Sequence, residues 1–413
     1  MKSTITCDME GIIQTFNQGA ETLFGYSKEE TVGKLRVSVF SPGEIVLQNL
    51  KTWLSQADAT GEYVTETNFI RKNGDVFGAR IRLSPTFKDG QQIGYCGVTE
   101  ELERPVDVPI RTATKIVRWL VITRAPFLTA ALVPCFIGLA FAGSVAGVPI
   151  NGLYATLAIL GVALPHLASN VYNDYFDVKS GTDQANTKYF VQYSGGSRAI
   201  EMGLIDLKGT RTVAMWLMIG AFAIGLFLTW QIGMGVLWYG LAGLFCGYLY
   251  TAPPVRLVAR RGLGEVTIGM AFGPLITAGM YYVLTGTSSW EAFLIGIPTG
   301  LLTTNILLIN QVPDADSDAT TGKNHLVVTF GKDAAVWFYT LFWAGAIATT
   351  VWLGLRHHAP LLWIPAGIGL VYGAWVISYM RRNIHSRALV KANINTIYLQ
   401  IVVGALFALM LVF

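Results

Sequence analysis

The sequence predicts an all-α, polytopic membrane bundle of nine transmembrane helices, preceded by a small α+β domain. Three observations carry this. Hydrophobic residues make up 52% of the 413 residues and charged ones 14%, against about 25% charged in an ordinary soluble chain. Residues 1–108 are charged and mixed, whereas 116–413 consist mostly of long apolar runs joined by short charged loops. Nine of these runs approach the roughly 20 residues a helix needs to cross about 30 Å of hydrocarbon. The net charge of +4 carries no nucleic-acid signature, so no nucleic-acid partner is expected. Cys7, Cys96, Cys135 and Cys246 lack metal-type spacing and read as free thiols. Met1 leads straight into polar, strand-like sequence, so no signal peptide is expected.

In residues 1–102, Ile5–Cys7 and Ile12–Phe16 alternate around the turn at Asp8–Gly11, which predicts a hairpin. A short helix follows from Asn17 to Phe24, closed by Gly25, and Ser27 with Glu30 has capping-box spacing. A longer helix is expected over Glu44–Ser55. Three strands, Glu62–Arg71, Val76–Thr86 and Gln92–Thr99, are separated by the turn sequences Lys72-Asn73-Gly74-Asp75 and Lys88-Asp89-Gly90. Residues 103–115 read as a linker in which Pro105 and Pro109 oppose a continuous helix.

Across 116–413 the expected spans are about 119–141, 149–171, 212–230, 234–251, 264–284, 291–311, 334–353, 359–379 and 394–413. Lys and Arg concentrate in alternate loops: Lys179, Lys188, Arg198, Lys208 and Arg211, then Arg256, Arg260 and Arg261, then Lys323 and Lys332, then Arg381, Arg382, Arg387 and Lys391. The opposite loops near 142–148, 231–233 and 285–290 have no basic residue, and only Arg356 breaks the pattern. The positive-inside rule therefore predicts a multi-pass cell-membrane protein with a cytoplasmic N-terminus and its C-terminus on the other side.

Two carboxylate clusters sit just past apolar stretches on that cytoplasmic side. One contains Asn173, Asp174, Asp177 and Asp183, the other Asn310, Asp314, Asp316 and Asp318. Acidic groups at the mouth of a membrane bundle are costly unless a cation binds between them. Asp174 and Asp177 lie one helical turn apart, as do Asp314 and Asp318. Mg²⁺ takes one or two carboxylates, with water and substrate phosphate completing its shell. The pattern thus points to Mg²⁺ holding a diphosphate, with Lys179, Arg198 and Lys323 available to its oxygens and Gly181, Gly195 and Gly196 allowing tight turns beside it. His166, within an apolar span, reads as a hydrogen-bonded core residue, and the other histidines are too scattered for a His-based metal site.

Residues 1–100 resemble a PAS domain through Gly11-Ile12-Ile13, Asn17, Ala20-Glu21, Phe24-Gly25-Tyr26, Glu29-Glu30, Gly33 and Arg71-Lys72-Asn73-Gly74. The resemblance implies a sensor or an empty dimerisation or docking module in equal measure, so a PAS-mediated homodimer stands among the expected partners. Because no histidine precedes His166, a His-ligated haem is excluded from this domain.

Residues 115–413 resemble the UbiA superfamily of intramembrane aromatic prenyltransferases. Asn173-Asp174-x-x-Asp177 with Asp183 matches its first motif, and Asp314-x-x-x-Asp318 its second. Within it, Tyr250-Thr251-Ala252-Pro253-Pro254, Gly262-Leu263-Gly264-Glu265, Phe272-Gly273-Pro274 and Gly279-Met280-Tyr281-Tyr282 resemble the 1,4-dihydroxy-2-naphthoate polyprenyltransferase branch. The resemblance implies Mg²⁺, a polyprenyl diphosphate and an aromatic, naphthoate-like acceptor among membrane lipid. Asp174, Asp177, Asp314 and Asp318 are then catalytic and, with Asp183, metal-binding. Asn173, Lys179, Arg198, Asn310 and Lys323 serve the substrate, Tyr250 an allylic cation, and Glu265 and Tyr281 the acceptor side. Asn324-His325 stands where that branch often has Arg-Thr, and Ser194 to Arg198 departs from its Gly-Pro-x-Arg. Transfer to another acceptor such as homogentisate, or a PAS-linked membrane receptor without catalysis, stays open at this point.

Overall fold

The computed structural model describes residues 2–181, 190, 196–251 and 254–413. Its chain divides into two compact units: one reaches to Ile122 and includes Arg198–Gly209, and the other holds Thr123–Ser197 and Thr210–Phe413.

The first unit contains five strands, β1 Ser3–Asp8, β2 Ile13–Phe16, β3 Tyr63–Ile70, β4 Val76–Lys88 and β5 Gln91–Glu101, in the order β2-β1-β5-β4-β3 with every pair antiparallel. The β1–β2 turn closes on Asp8, whose Oδ1 accepts from the Glu10 and Ile12 N–H groups at 3.0 and 2.9 Å. Asn17 caps the Gln18–Phe24 helix, Gly25 ends it at φ 76°, and Ser27 with Glu30 forms the expected capping box. The longer helix runs over Gly43–Thr60. Aromatic rings fill the interior: Phe24 and Phe40 stack at 4.4 Å, with Phe16, Phe69 and Phe77 around them.

Residues 102–111 are non-helical, as the prolines require, and a helix then covers Thr112–Ile122. Arg118 ties this unit together, donating from Nε to the Leu204 carbonyl at 2.9 Å and from Nη1 to Glu44 Oε1 at 3.0 Å. Gly43 abuts the Met202 carbonyl so closely that any Cβ there would collide with it.

Among the described residues of the second unit and its continuous helices, eight are long and apolar enough to cross a membrane: Ala125–Val145, Gly152–Ser180, Leu207–Ile232, Leu263–Thr285, Trp290–Thr320, Lys332–Arg356, Pro360–Asn383 and Arg387–Met410. This is a polytopic all-α membrane bundle. The ninth expected helix exists, Gly235–Thr251, but has 17 residues and rises only about 26 Å at 1.5 Å per residue. Among the described residues the bundle thus shows eight full-length spans and this shorter helix at the place of the ninth. The first span starts at Ala125 rather than near 119, because Arg124 adopts φ 51° and Pro126 follows.

Two packing devices position the site. Gly269, Gly273, Gly296 and Gly300 bring the Leu263–Thr285 and Trp290–Thr320 helices into backbone contact, since a Cβ on any of the four would press on the facing helix. Pro313 lacks the N–H that would bond the Ile309 carbonyl, and Asn393 Nδ2 donates to that oxygen instead at 3.2 Å. The same amide donates to Asn310 Oδ1 at 2.8 Å, which orients a residue of the second cluster.

Candidate functional site

Asp174 and Asp177 of the first cluster and Asp314, Asp316 and Asp318 of the second lie on helices rather than in loops. The apolar runs were expected to stop near 171 and 311, yet the helices continue to Ser180 and Thr320. Helical periodicity therefore governs which acids share a face.

Asp177, Asp314 and Asp318 line one end of a cavity of about 800 Å³, together with Asn173, Asn310 and Lys323. The rest of its wall is mostly apolar, including Phe222, Leu244, Ile276 and Tyr250. Asn173 Nδ2 donates to Asp177 Oδ2 at 2.8 Å. Lys323 Nζ stands 3.0 Å from Asp177 Oδ1 and 3.7 Å from Asp318 Oδ1, bridging the two helices. Burial alone would lower Lys323, but Asp177 and Asp318 outweigh it and hold the ammonium above its ordinary value.

Asp174 occupies a different environment. It is 3% exposed and absent from the cavity wall. Its Oδ1 accepts from the Ser197 N–H at 3.0 Å, and the Ser197 hydroxyl donates to Oδ2. Gly196, at φ 78°, supplies the turn that brings Ser197 there.

The remaining expected residues divide. Glu265 Oε1 accepts from the Leu326 N–H at 3.0 Å, and Tyr281 packs on Phe141 at 5.6 Å; neither lines the cavity. Lys179 is exposed, with Nζ 5.2 Å above the Tyr175 ring. Arg198 is buried and pairs with Glu201 at 3.1 Å within the first unit. Asp183, Lys188, Ser194 and Gly195 lie outside the described residues.

Sequence reasoning missed two residues here. His325, counted among scattered histidines, is 1% exposed and lies 3.1 Å from Asp318 Oδ2. Ser197 had no signal beyond a neighbouring glycine pair. His166 is also reassigned: neither ring nitrogen has a hydrogen-bond partner among the described residues, contrary to the expected bonded core histidine.

Among the described residues, no three His, Cys, Asp or Glu side chains cluster closely enough to hold a metal ion by themselves. The donor set nonetheless suits Mg²⁺, which needs few protein carboxylates when phosphate and water complete its shell. A cationic group already occupies the space between Asp177 and Asp318, namely the Lys323 ammonium.

Comparison with known proteins agrees with this layout. Residues 2–101 match the PAS domain family. A 1,4-dihydroxy-2-naphthoate octaprenyltransferase of Haemophilus influenzae is 30% identical over 52% of this chain and 70% of its own length. A 2-carboxy-1,4-naphthoquinone phytyltransferase of Synechocystis is 28% identical over 59% of this chain and 75% of its own. A UbiA homolog from Archaeoglobus fulgidus, solved bound to DMAPP and Mg²⁺, shares the fold at TM-score 0.51 and 18% identity, covering 70% of this chain and 99% of that one. With residues 131–402 matching it, the chain belongs to the UbiA prenyltransferase family and carries a PAS domain ahead of its membrane bundle.

Proposed function

We propose that this protein transfers a polyprenyl group from a polyprenyl diphosphate to 1,4-dihydroxy-2-naphthoate, with Mg²⁺ as cofactor, giving the quinol form of a demethylmenaquinone, CO₂ and diphosphate. The observation that carries this is the polarity of the cavity: three aspartates and a lysine at one end, a mostly apolar wall beyond. A polyprenyl diphosphate has the same polarity. The naphthoate-type names of the Haemophilus influenzae and Synechocystis relatives support the choice of acceptor.

Asp177, Asp314 and Asp318 would hold Mg²⁺, with Asp174 and Asp183 completing the proposed set. When bound, the ion neutralises charge on the departing diphosphate. Lys323 would bind diphosphate oxygens, with Lys179 and Arg198 kept as further proposed phosphate-binding groups, while Asn173 and Asn310 orient the carboxylates. The allylic C–O bond breaks, and the apolar wall keeps water from the cation. Tyr250 offers its π-face to that charge. The acceptor ring carbon then forms the new C–C bond, and its carboxylate leaves as CO₂.

The basic loops favour a cytoplasmic N-terminus and a cytoplasmic carboxylate end. Residues 1–102 would act as a docking or sensory module, and the ring-filled PAS interior supports docking. A polyprenyl diphosphate, 1,4-dihydroxy-2-naphthoate and Mg²⁺ supplied to protein in nanodiscs should yield the prenylated, decarboxylated product by mass spectrometry, and chelation should abolish it. Diphosphate release only with a different aromatic would keep prenyl transfer and discard the naphthoate.

A further inference from the structure

Away from its carboxylate end, the cavity wall carries polar side chains that the bundle leaves unsatisfied. Gln311 is 6% exposed, and neither Oε1 nor Nε2 has a hydrogen-bond partner among the described residues. The Thr303 hydroxyl is likewise buried and unpartnered. Both ring nitrogens of His166 are buried without a partner, while Phe272 meets the ring edge-on at 5.2 Å and 86°. All three residues line the cavity. Buried polar atoms are nearly always paired, so three unsatisfied residues lining one cavity mark where a polar ligand belongs.

Their places follow from helix geometry. His166, Asn170, Asn173 and Asp177 recur at spacings of four, three and four on the Gly152–Ser180 helix, and Thr303, Leu307, Asn310 and Asp314 do so on the Trp290–Thr320 helix. At 1.5 Å per residue, Gln311 lies about 10 Å from Asp318 along its axis and His166 about 16 Å from Asp177. An isoprenoid tail has no donor or acceptor to offer at that depth. A planar ring with hydroxyls does. Neutral imidazole presents one donor and one acceptor, and the glutamine amide presents both.

We infer that His166 and Gln311 recognise the ring hydroxyls of the aromatic acceptor. This inference rests on the prenyl-transfer reading and deepens it, replacing Glu265 and Tyr281 as the acceptor-side residues. His166 and Gln311 thereby act as specificity determinants, favouring a dihydroxylated ring over one lacking a hydroxyl.

The test uses full-length protein in nanodiscs, without prenyl diphosphate or metal. Equilibrium binding is compared for 1,4-dihydroxy-2-naphthoate and 1-hydroxy-2-naphthoate, the same acid without its 4-hydroxyl. Wild-type protein should prefer the dihydroxy acid by about tenfold, as for one buried hydrogen bond. At least one of His166→Phe and Gln311→Met should erase that preference while still binding the monohydroxy acid, and His166→Gln should restore part of any loss at His166. No preference in wild-type protein, or a preference unchanged in both variants, overturns the inference. Loss of both acids alike in the variants also overturns it, because a merely structural role does that. Diphosphate release is measured separately: if wild-type protein shows the preference but never releases diphosphate, the transfer reading fails and the acceptor site stands. If it transfers the prenyl group with unchanged acceptor KM in both variants, the transfer reading stands and the acceptor site falls.

Discussion

His325 donates from Nε2 to Asp318 Oδ2 across 3.1 Å because its other ring nitrogen is already an acceptor. Nδ1 takes the Val328 N–H at 3.3 Å and caps the Leu326–Phe330 helix. An imidazole accepting at Nδ1 must carry its proton at Nε2, so the cap fixes the tautomer and the tautomer orients the carboxylate. A histidine thus stands beside one of the proposed metal-binding acids, on the same cavity wall. His325→Ala should leave a folded protein whose apparent Mg²⁺ affinity falls about 10- to 100-fold. Titrating thermal stabilisation against Mg²⁺ measures this; an unchanged midpoint would reduce His325 to a helix cap.

Lys323 bridges Asp177 and Asp318, so Lys323→Met should leave two neighbouring carboxylates without their ammonium. In EDTA the variant should be less stable than wild type by about 2 kcal/mol, and saturating Mg²⁺ should recover much of that. Because the Lys323 value is raised, its contribution is complete below the ordinary 10.5 and declines only above it. The stability gap should therefore stay flat from about pH 6 to 9. Thermal unfolding with and without Mg²⁺ across that range checks both statements.

Asp177 and Asp174 should respond differently despite their spacing in one motif. Asp177 lines the cavity beside Asn173 and Lys323, whereas Asp174 holds Ser197. Asp177→Ala should reduce kcat by at least about 10³-fold, the scale of losing transition-state charge stabilisation. Ser197→Ala removes the hydroxyl bond to Asp174 and should cost about tenfold. Equal losses in steady-state assays would show that Asp174 and Asp177 act as one unit.

Gly43 offers a handle on the first unit. A side chain there would collide with the Met202 carbonyl, so Gly43→Val should loosen the 198–209 segment from the Gly43–Thr60 helix. Limited proteolysis should then cut within 198–209 several-fold faster, with the PAS sheet still protected. Ser197 is the next residue in the chain, so kcat should also fall. Unchanged cleavage would remove this contact as the anchor of the segment.

Cys7 should be inert in the folded protein. Burial is the main cause that pushes its thiol up to about 11, so at pH 8 only about one in 10³ is thiolate, the reactive form. Iodoacetamide at pH 8 should leave Cys7 unmodified until the domain unfolds, as peptide mass mapping would show. Rapid labelling would reopen Cys7 as a redox-responsive group.

The order of strands and helices along the first domain and most spans were legible because each depends on local pattern: period-2 alternation, turn residues and long apolar runs. Asn17, Ser27 and Glu30 cap where their spacing says, since capping is a contact within four residues. The start at Ala125 was not legible, because one left-handed residue, Arg124, breaks a continuous apolar pattern. The short helix at Gly235–Thr251 also reads as a full span on composition alone.

For the site, the sequence by itself determined the chemistry on offer: aspartates spaced by a helical turn, an asparagine heading each cluster and a lysine nearby. These follow from helical periodicity and charge, which are one-dimensional. Only the tertiary structure decided which of those groups meet. It turned Asp174 to Ser197, set Lys323 between Asp177 and Asp318 from 146 and 5 residues away, and put His325 beside Asp318. It also left His166 and Gln311, both lining the cavity, without partners among the described residues. The physical reason is that packing chooses the facing partner: glycines at 269, 273, 296 and 300 let two helices close together, and Pro313 frees a carbonyl that Asn393 fills. No spacing along a single helix encodes what the neighbouring helix brings to it.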